Sequence, residues 1–475
     1  MNLNRFFTLL LLLSTSAVKL SAQNLPAKTT WEGTLANLGI ILTISEDSLT
    51  KQKTAEFAVP QQNATGIKVS KLIITPDSLT ADAAVMSSAY TAAFNSNKTT
   101  LTGLWKQRGG TYPLTLKRVA NKAGYNRPQM PKAPFPYREE KVIYYNKDRS
   151  IQYGATLTIP KSVQNVPAVI LITGSGQEDR DETIFGHKLF WVIADHLTRN
   201  GIAVLRVDDR GVGETTGDVM GATSADFAKD VMVGIDYLKG HPGIDIKNIG
   251  LIGHSEGGVI APLIAVQTDD VAFIVSLAGV GIKGEDLMKI QNRTAYLKNG
   301  FTEDDVARTE SFMLMARTLA DRYTNRDSLK AAYEQSKADW LKQQPDAFLA
   351  KAGLKGKSSE ALLNQLSATM FMPWMRYFLN YDPATTLTKI KIPVLALNGG
   401  KDVQVSAKEN LAGFNALLTQ AGNKDFNTVL LPNLNHMFQN AGTGDVSEYS
   451  TIDETISPEV LDIITKWING LKPRK

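Results

Sequence analysis

The sequence predicts an α/β fold, a mostly parallel sheet with helices on both faces, preceded by a small all-β domain and interrupted by a helical insertion. Three observations predict it. Beyond about residue 138, apolar β-branched runs alternate with helical patterns, as in a parallel sheet buried on both faces. Residues 24 to about 120 instead show short alternating runs between turn residues, the pattern of a meander or small barrel. Between Gly281 and Ile392 the strand pattern stops and only helical segments remain.

Composition sets the outer bounds. The chain has 475 residues, enough for about three domain-sized units at ~150 residues each. Hydrophobic residues are 43% and charged residues 21%, ordinary globular usage that excludes a disordered, collagenous or multi-span membrane chain. The absence of cysteine excludes disulfides, thiolate metal sites, a cysteine nucleophile and a lipid-anchored N-terminal cysteine. The formal charge of +5 comes from Lys and Arg scattered among acids, with no basic block, so nucleic acid is not an expected partner.

The N-terminus reads as a leader. Arg5 precedes the apolar run Phe6 to Leu13, and small residues follow to Leu20-Ser21-Ala22. That is the charged, apolar and cleavage pattern of a secretory signal, too short for a membrane span. Cleavage is expected after Ala22, with Ala17 the alternative. No later segment reads as a membrane span, so the mature chain is expected in the periplasm or outside the cell.

The next element is the β domain, residues 23–121. Strands are expected at Trp31–Leu35, Gly39–Ser45, Lys53–Val59, Gly66–Thr75, Ala83–Phe94, Thr99–Lys106 and Tyr112–Arg118. Turns fall at Pro60, Pro76-Asp77, Asn95-Ser96-Asn97 and Gly109-Gly110. Trp31, Tyr90 and Trp105 belong either to the aromatic core of this domain or to a binding groove. A linker follows at 122–137, where Pro128, Pro131, Pro134 and Pro136 favour extended chain.

From 138 to 475 the strand candidates are Ala168–Thr173, Ala203–Val207, Ile249–Gly253, Phe273–Leu277, Val394–Asn398 and Thr428–Leu431. Helical patterns lie at Phe185–Asn200, Ser224–Lys239 and Gly257–Gln267. Such sheets bind ligands at the carboxyl ends of their strands. The insertion, 283–386, leaves and rejoins the sheet at that edge, where a lid belongs.

The chemistry lies in three separated residues. Ile249 to Gly258 is a strand that runs through Gly253-His254-Ser255-Glu256-Gly257 into a helix. Gly-x-Ser-x-Gly in that setting is a sharp turn that lifts the serine hydroxyl above the sheet, with glycines where strand and helix approach. A serine needs a base to take its proton. Of the five histidines, only His436 lies well beyond the serine, in a loop after the last strand; His187 is the rival. The acid should follow the preceding strand, and Asp402 stands after Val394–Gly400. It would orient His436 and stabilise the imidazolium. A histidine base must be neutral, so the rate should rise with pH across the imidazole range. The oxyanion donors are expected to be the Glu256 N–H and one from the loop Gly174 to Gln177, with Ser175 favoured over Gly176 and Gln177.

These residues also carry a resemblance. Thr173-Gly-Ser-Gly-Gln-Glu-Asp-Arg-Asp-Glu182, Arg206-Val-Asp-Asp-Arg-Gly-Val-Gly-Glu-Thr215, Gly253-His-Ser-Glu-Gly-Gly258 and Asn398-Gly-Gly-Lys-Asp-Val-Gln-Val405 with Asn435-His436 resemble the α/β-hydrolase superfamily. Within it the stretch from about 140 onward is similar to carboxylesterases and to serine-aminopeptidase-like hydrolases with a helical lid. The resemblance implies an α/β-hydrolase fold and serine hydrolysis through an acyl-enzyme, with no metal and no cofactor. The family usually carries His-Gly where this chain has Thr173-Gly174, which leaves the second oxyanion donor open.

Gly211-Val-Gly213 after a strand is not a dinucleotide fingerprint, because Thr216 stands where the third glycine is needed. Asp208, Asp209 and Arg210 are expected instead to form a buried brace with Arg180 and Asp181 beneath the oxyanion loop. For specificity, Met370 to Phe378 offers Met and aromatic side chains that either line an acyl pocket or form lid core. Trp374, Arg376 and Gln177 are the pocket candidates, and Arg376 would meet a substrate carboxylate or pair with Asp382. The expected partner is a small-molecule ester. The alternatives are an aminopeptidase or amidase, with Glu256 or a lid acid holding the substrate ammonium, and a non-catalytic binder using the β domain. The sequence sets no oligomeric state.

Overall fold

The computed structural model describes residues 25–35, 38–47, 50–59, 64–107, 110–119, 126–161, 165–355 and 358–472. The expected leader, 1–22, lies outside the described residues. Among them, no helix is long and apolar enough to cross a membrane. The chain divides into two units, one made of residues up to Ala58 with Gly66–Asn121, the other of Val59–Thr65 with Lys122–Lys475.

The first unit is a nine-stranded antiparallel sheet: β1 Lys28–Leu35, β2 Leu38–Glu46, β3 Lys53–Val59, β4 Ala64–Lys68, β5 Lys71–Ile74, β6 Ser78–Ala83, β7 Ser88–Phe94, β8 Thr100–Gln107 and β9 Gly110–Val119. Their order is β4-β3-β2-β1-β9-β8-β7-β6-β5. The two edge strands are consecutive in sequence. Between them Val69 N–H donates to Ala55 on β3 while Ser70 N–H donates to Asp82 on β6, so the sheet curls toward closure. The run read as one strand at Gly66–Thr75 is broken at this crossing, and β6 follows the Pro76-Asp77 turn. Trp31, Tyr90 and Trp105 are at most 1% exposed. Trp105 meets Phe57 edge-on at 5.0 Å between centroids, and the Tyr90 hydroxyl faces the Leu101 and Leu114 carbonyls at 3.1 Å each. These aromatic residues are core and form no groove.

The second unit is built on an eight-stranded sheet in the order β10-β11-β15-β12-β16-β17-β18-β19. Its strands are β10 Tyr137–Tyr145, β11 Gln152–Pro160, β12 Val166–Ile172, β15 Ala203–Val207, β16 Ile244–His254, β17 Val271–Leu277, β18 Val394–Gly399 and β19 Phe426–Leu431, with the short hairpin β13 Thr183–Ile184 and β14 His187–Lys188 after β12. β10 and β11 pair antiparallel, as do β11 and β15. The other neighbours are parallel. Helices α1 Leu189–Arg199, α2 Ser224–Lys239, α3 Gly257–Ala265, α11 Ala407–Gln420 and α12 Pro458–Gly470 connect or follow the strands. This is the expected α/β-hydrolase fold, with an antiparallel pair at one edge that the apolar runs did not reveal.

Asn126–Gln129 is bound into this unit. Arg127 donates to the Ile452 and Phe185 carbonyls at 2.8 and 2.7 Å, and the Gln129 amide bonds Ile456 and Thr455.

Strand order fixes where a site can lie. β12 has β15 on one side and β16 on the other, so the chain leaves β12 in opposite directions at this point and opens a crevice beyond its carboxyl end. Between β17 and β18 the chain forms α4 Gly284–Lys298, α5 Glu303–Arg322, α6 Arg326–Lys342, α7 Asp346–Lys351, α8 Ser358–Phe371, α9 Pro373–Asn380 and α10 Ala384–Leu387. These helices enclose their own core of Phe312, Tyr333, Trp340, Phe348, Leu363 and Met370. The helix α5 begins on a capping box in which the Thr302 hydroxyl accepts from Asp305 N–H and the Asp305 carboxylate accepts from Thr302 N–H.

Candidate active site

The crevice is organised by the turn from β16 into α3. Ser255 has φ 52°, a left-handed conformation disfavoured for any residue with a Cβ. Its neighbours allow the turn. A Cβ on Gly253 would stand 2.1 Å from the Gly257 carbonyl oxygen, and one on Gly257 2.2 Å from that of Ile172. Ser255 N–H donates to the Leu277 carbonyl at 2.8 Å, tying the turn to β17.

His436 and Asp402 meet beside this turn. His436 Nδ1 lies 2.7 Å from Asp402 Oδ2. The other carboxylate oxygen, Oδ1, accepts from the N–H groups of Gln404 and Val405 at 2.8 Å each. The Asp402 side chain is fully buried. The His436 loop is held to the elbow by His254, whose Nε2 donates to the His436 carbonyl at 3.0 Å, with the two rings 4.8 Å apart. Of the three residues that sequence order singles out, Asp402 and His436 are thus hydrogen-bonded to each other, and the His436 loop is tied to the residue preceding Ser255. The rival His187 is elsewhere and committed: its ring nitrogens lie 3.0 Å from the Thr455 hydroxyl and 2.9 Å from the Tyr449 carbonyl. Burial pushes it down to about 4.

The loop after β12 lies against the serine. A Cβ on Gly174 would stand 3.3 Å from Ser255 Cβ. Gly174 N–H is already used, donating to Glu182 Oε1 at 2.8 Å. Ser175, Gly176 and Gln177 are exposed. The expected brace forms in part: Arg180 and Asp208 pair, but Asp181 goes to Arg206 and Arg210 to Asp230. Arg180 grips Asp208 through Nε and Nη2 at 3.0 and 2.6 Å. The Thr173 hydroxyl and Glu178 N–H donate to Asp209 at 2.7 and 2.9 Å. Burial pushes the Asp209 carboxyl up to about 8, against its hydrogen bonds.

Glu256, next to the serine, carries a contact that sequence reading missed. Its Oε1 accepts from Ser224 Oγ on α2 at 2.6 Å and from Trp374 Nε1 on α9 at 2.7 Å. The helical insertion thus reaches the elbow through Trp374, which stacks on Phe378 at 5.6 Å. Burial pushes Glu256 up to about 7, although both hydrogen bonds pull the other way. Its unfolded value is near 4.3, so the folded state binds the extra proton between these limits. The stability it contributes is present below about 4.3 and is lost as pH rises through 7. Glu256→Gln keeps an acceptor for both donors without the charge. It should unfold at the same temperature as the parent at pH 4.5 and several degrees higher at pH 8, where the penalty is on the order of 3 kcal/mol. Equal shifts at both pH values in thermal melts would contradict this.

The remaining pocket candidates separate. Arg376 pairs with Asp321 at 3.1 Å, and not with Asp382, and its side chain is 44% exposed. Two positions along a helix are about 200° apart, so Arg376 cannot share the face of Trp374. The Gln177 amide nitrogen lies against Gly211. Met375 and Phe378 are buried within the insertion and its contacts. A separate cavity of about 370 Å³ within the insertion is lined by Met288, Tyr296, Met313, Leu314, Met370 and Leu379, and Trp374 is not among its walls.

Residues 149–437 match the family described as X-Pro dipeptidyl-peptidase (S15 family). The chain is 25% identical over 362 residues to Esterase EstD of Thermotoga maritima, covering 75% of each. Among solved structures it is similar to an esterase of Pyrococcus furiosus, with 12% identity, TM-score 0.42 and coverage of 73% of this chain and 97% of that one. It is also similar to the α/β hydrolase GrgF of Penicillium, with 15% identity, TM-score 0.41 and coverage of 70% and 98%.

Proposed function

The chain belongs to the S15 family of X-Pro dipeptidyl-peptidases and is a hydrolase; we propose that it cleaves a small or medium carboxylic ester through an acyl-enzyme on Ser255, His436 and Asp402. The observation that carries this reading is the buried Asp402–His436 pair at 2.7 Å beside a serine held at φ 52° on a strand-to-helix turn. In the proposed reaction His436 Nε2 takes the Ser255 proton as Oγ attacks the carbonyl carbon. The same nitrogen returns the proton to the leaving alcohol, and water then repeats the sequence to release the acid. The developing oxyanion would accept from the N–H groups of Glu256 and Ser175. Ser175 is preferred because the Gly174 N–H is already given to Glu182. The leader expected over 1–22 carries the further proposal that the mature enzyme works in the periplasm or outside the cell.

A second reading is cleavage of an X-Pro peptide, which the family match favours. Such a substrate presents a terminal ammonium, and the acid next to the serine in sequence is Glu256. That carboxyl already takes two hydrogen bonds on one oxygen and is pushed up to about 7 by burial. With Oε1 already accepting from Ser224 and Trp374, it is a poorly placed counter-ion, and the ester reading is preferred. The helices between β17 and β18 would act as a lid, with Trp374 as the wall nearest the serine.

A panel of p-nitrophenyl esters and X-Pro anilides tests both readings, with fluorophosphonate labelling of Ser255 as the control for an active nucleophile. Turnover of esters with little or none of the anilides is expected, and the reverse would overturn the ester reading. Trp374→Ala should move the preferred acyl length upward while labelling persists, since each methylene is worth about 1–3 kcal/mol in such a pocket. An unchanged chain-length profile in a folded variant would make Trp374 a packing residue only.

A further inference from the structure

The imidazole of His254 adjoins Ser255 in sequence, yet both its nitrogens are committed to other residues. Nε2 meets the His436 carbonyl at 3.0 Å, and Nδ1 meets Glu182 Oε1 at 2.9 Å. Both side chains are at most 2% exposed. The same Glu182 oxygen accepts Gly174 N–H at 2.8 Å. Two side chains therefore join three loops: the oxyanion loop through Gly174, the elbow through His254 itself, and the histidine loop through the His436 backbone.

Hydrogen-bond chemistry fixes the proton on Nε2. A carbonyl oxygen only accepts, so Nε2 must carry hydrogen. Facing Nδ1 is Glu182 Oε1, which already accepts from Gly174, so with Glu182 ionised Nδ1 is a donor as well. An imidazole with both nitrogens protonated is a cation, and a buried cation requires the anion it faces. Around the pair stand other acids: Asp402 beyond the His436 ring, and Glu178 and Asp209 on the Glu182 side, each of which feels Glu182. Burial alone would push His254 down, but the charge and hydrogen bond of Glu182 outweigh it and raise it.

We infer that Glu182 and His254 are positioning residues, a buried carboxylate–imidazolium pair that holds the oxyanion loop and His436 in register with Ser255. This rests on the triad reading proposed above. The pair touches no reacting atom. Its effect is to fix where the Ser175 N–H and the His436 ring stand when the tetrahedral intermediate forms. Groups whose placement matters in the transition state alter kcat and leave KM largely alone.

The test has a spectroscopic and a kinetic arm, both on the full chain. With ¹⁵N-labelled histidine, one of the five histidines should have both ring nitrogens protonated at pH 8, and that signal should vanish in His254→Gln. It should return to a neutral ring in Glu182→Gln. Finding every histidine neutral at pH 8 overturns the inference. In the kinetic arm, Glu182→Gln and His254→Gln should each lower kcat about 100-fold with KM within about twofold, and Glu182→Asp should recover part of the loss. A kcat within about threefold of the parent in the folded variants, or a change confined to KM, overturns it. If His254→Gln does not fold, the isosteric Glu182→Gln decides the question. Should Ser255→Ala retain activity, the triad reading fails, whereas the doubly protonated His254 signal is read independently of the nucleophile.

Discussion

Ser255→Ala is expected to reduce turnover of any ester substrate by about 10⁴–10⁶-fold while leaving the fold intact. The reason is local. The substitution removes one hydroxyl from a half-buried position and leaves the Cβ that already sets the backbone preference at φ 52°. Alanine meets the same left-handed conformation as serine, so the elbow gains no new strain and loses none. The tie from residue 255 N–H to the Leu277 carbonyl is a backbone bond and survives. The Asp402–His436 pair is untouched, and both proposed oxyanion donors, being backbone N–H groups, remain. Residual activity should therefore reflect binding and oxyanion stabilisation alone. Activity measured beside thermal unfolding separates the cases. A melting temperature near that of the parent with activity lost supports the nucleophile, whereas full activity in verified mutant protein assigns the chemistry elsewhere.

Much of this site was legible because its parts are local in sequence or ordered by topology. The elbow is five consecutive residues whose glycines are dictated by close backbone approach, and the structure puts backbone atoms where their Cβ atoms would stand. Asp402 and His436 were found by asking which acid and histidine follow consecutive parallel strands, and β18 and β19 end just before them. The fully buried strands β17 and β18, and the buried carboxyl-terminal halves of β12 and β16, read as continuous apolar runs. What was not legible depends on pairing across long separations. The pair β10–β11 was missed because Tyr137–Tyr145 is half polar and its partner owes its burial to neighbours on the sheet. Arg376 reads from the sequence as a partner of a substrate carboxylate or of Asp382, but it pairs with Asp321. His254, read as the variable position of the elbow, bonds residues 72 and 182 positions away. Glu256 meets Trp374 across 118 positions. No pattern along the chain announces such contacts. The Glu256–Trp374 contact exists because the insertion reaches the elbow, and the two made by His254 join loops that follow different strands.

The second large effect expected is that Asp402→Asn will be at least as damaging as Asp402→Ala, with a loss of about 10⁴-fold in kcat. Ordinarily the amide is the gentler change, and here geometry reverses the order. Asp402 Oδ1 is held by two backbone donors, Gln404 N–H and Val405 N–H, both at 2.8 Å. An asparagine at this position must turn its carbonyl oxygen toward them, because an NH₂ group there would face two donors in a buried site. Its NH₂ is then aimed at His436 Nδ1, where Oδ2 now lies 2.7 Å away. A donor facing Nδ1 forces that nitrogen to accept, and the ring proton moves to Nε2. The nitrogen that should take the Ser255 proton then already carries one, and the general base is blocked by tautomer with no change of position. Alanine imposes no such choice: the ring loses its orienting partner but either tautomer remains open. The comparison of kcat for the two variants, with ¹⁵N shifts of the histidine ring as the tautomer readout, tests the argument. If Asp402→Asn is clearly more active than Asp402→Ala while both are folded, the two backbone donors do not fix the amide, and the orienting role assigned to Asp402 must be revised.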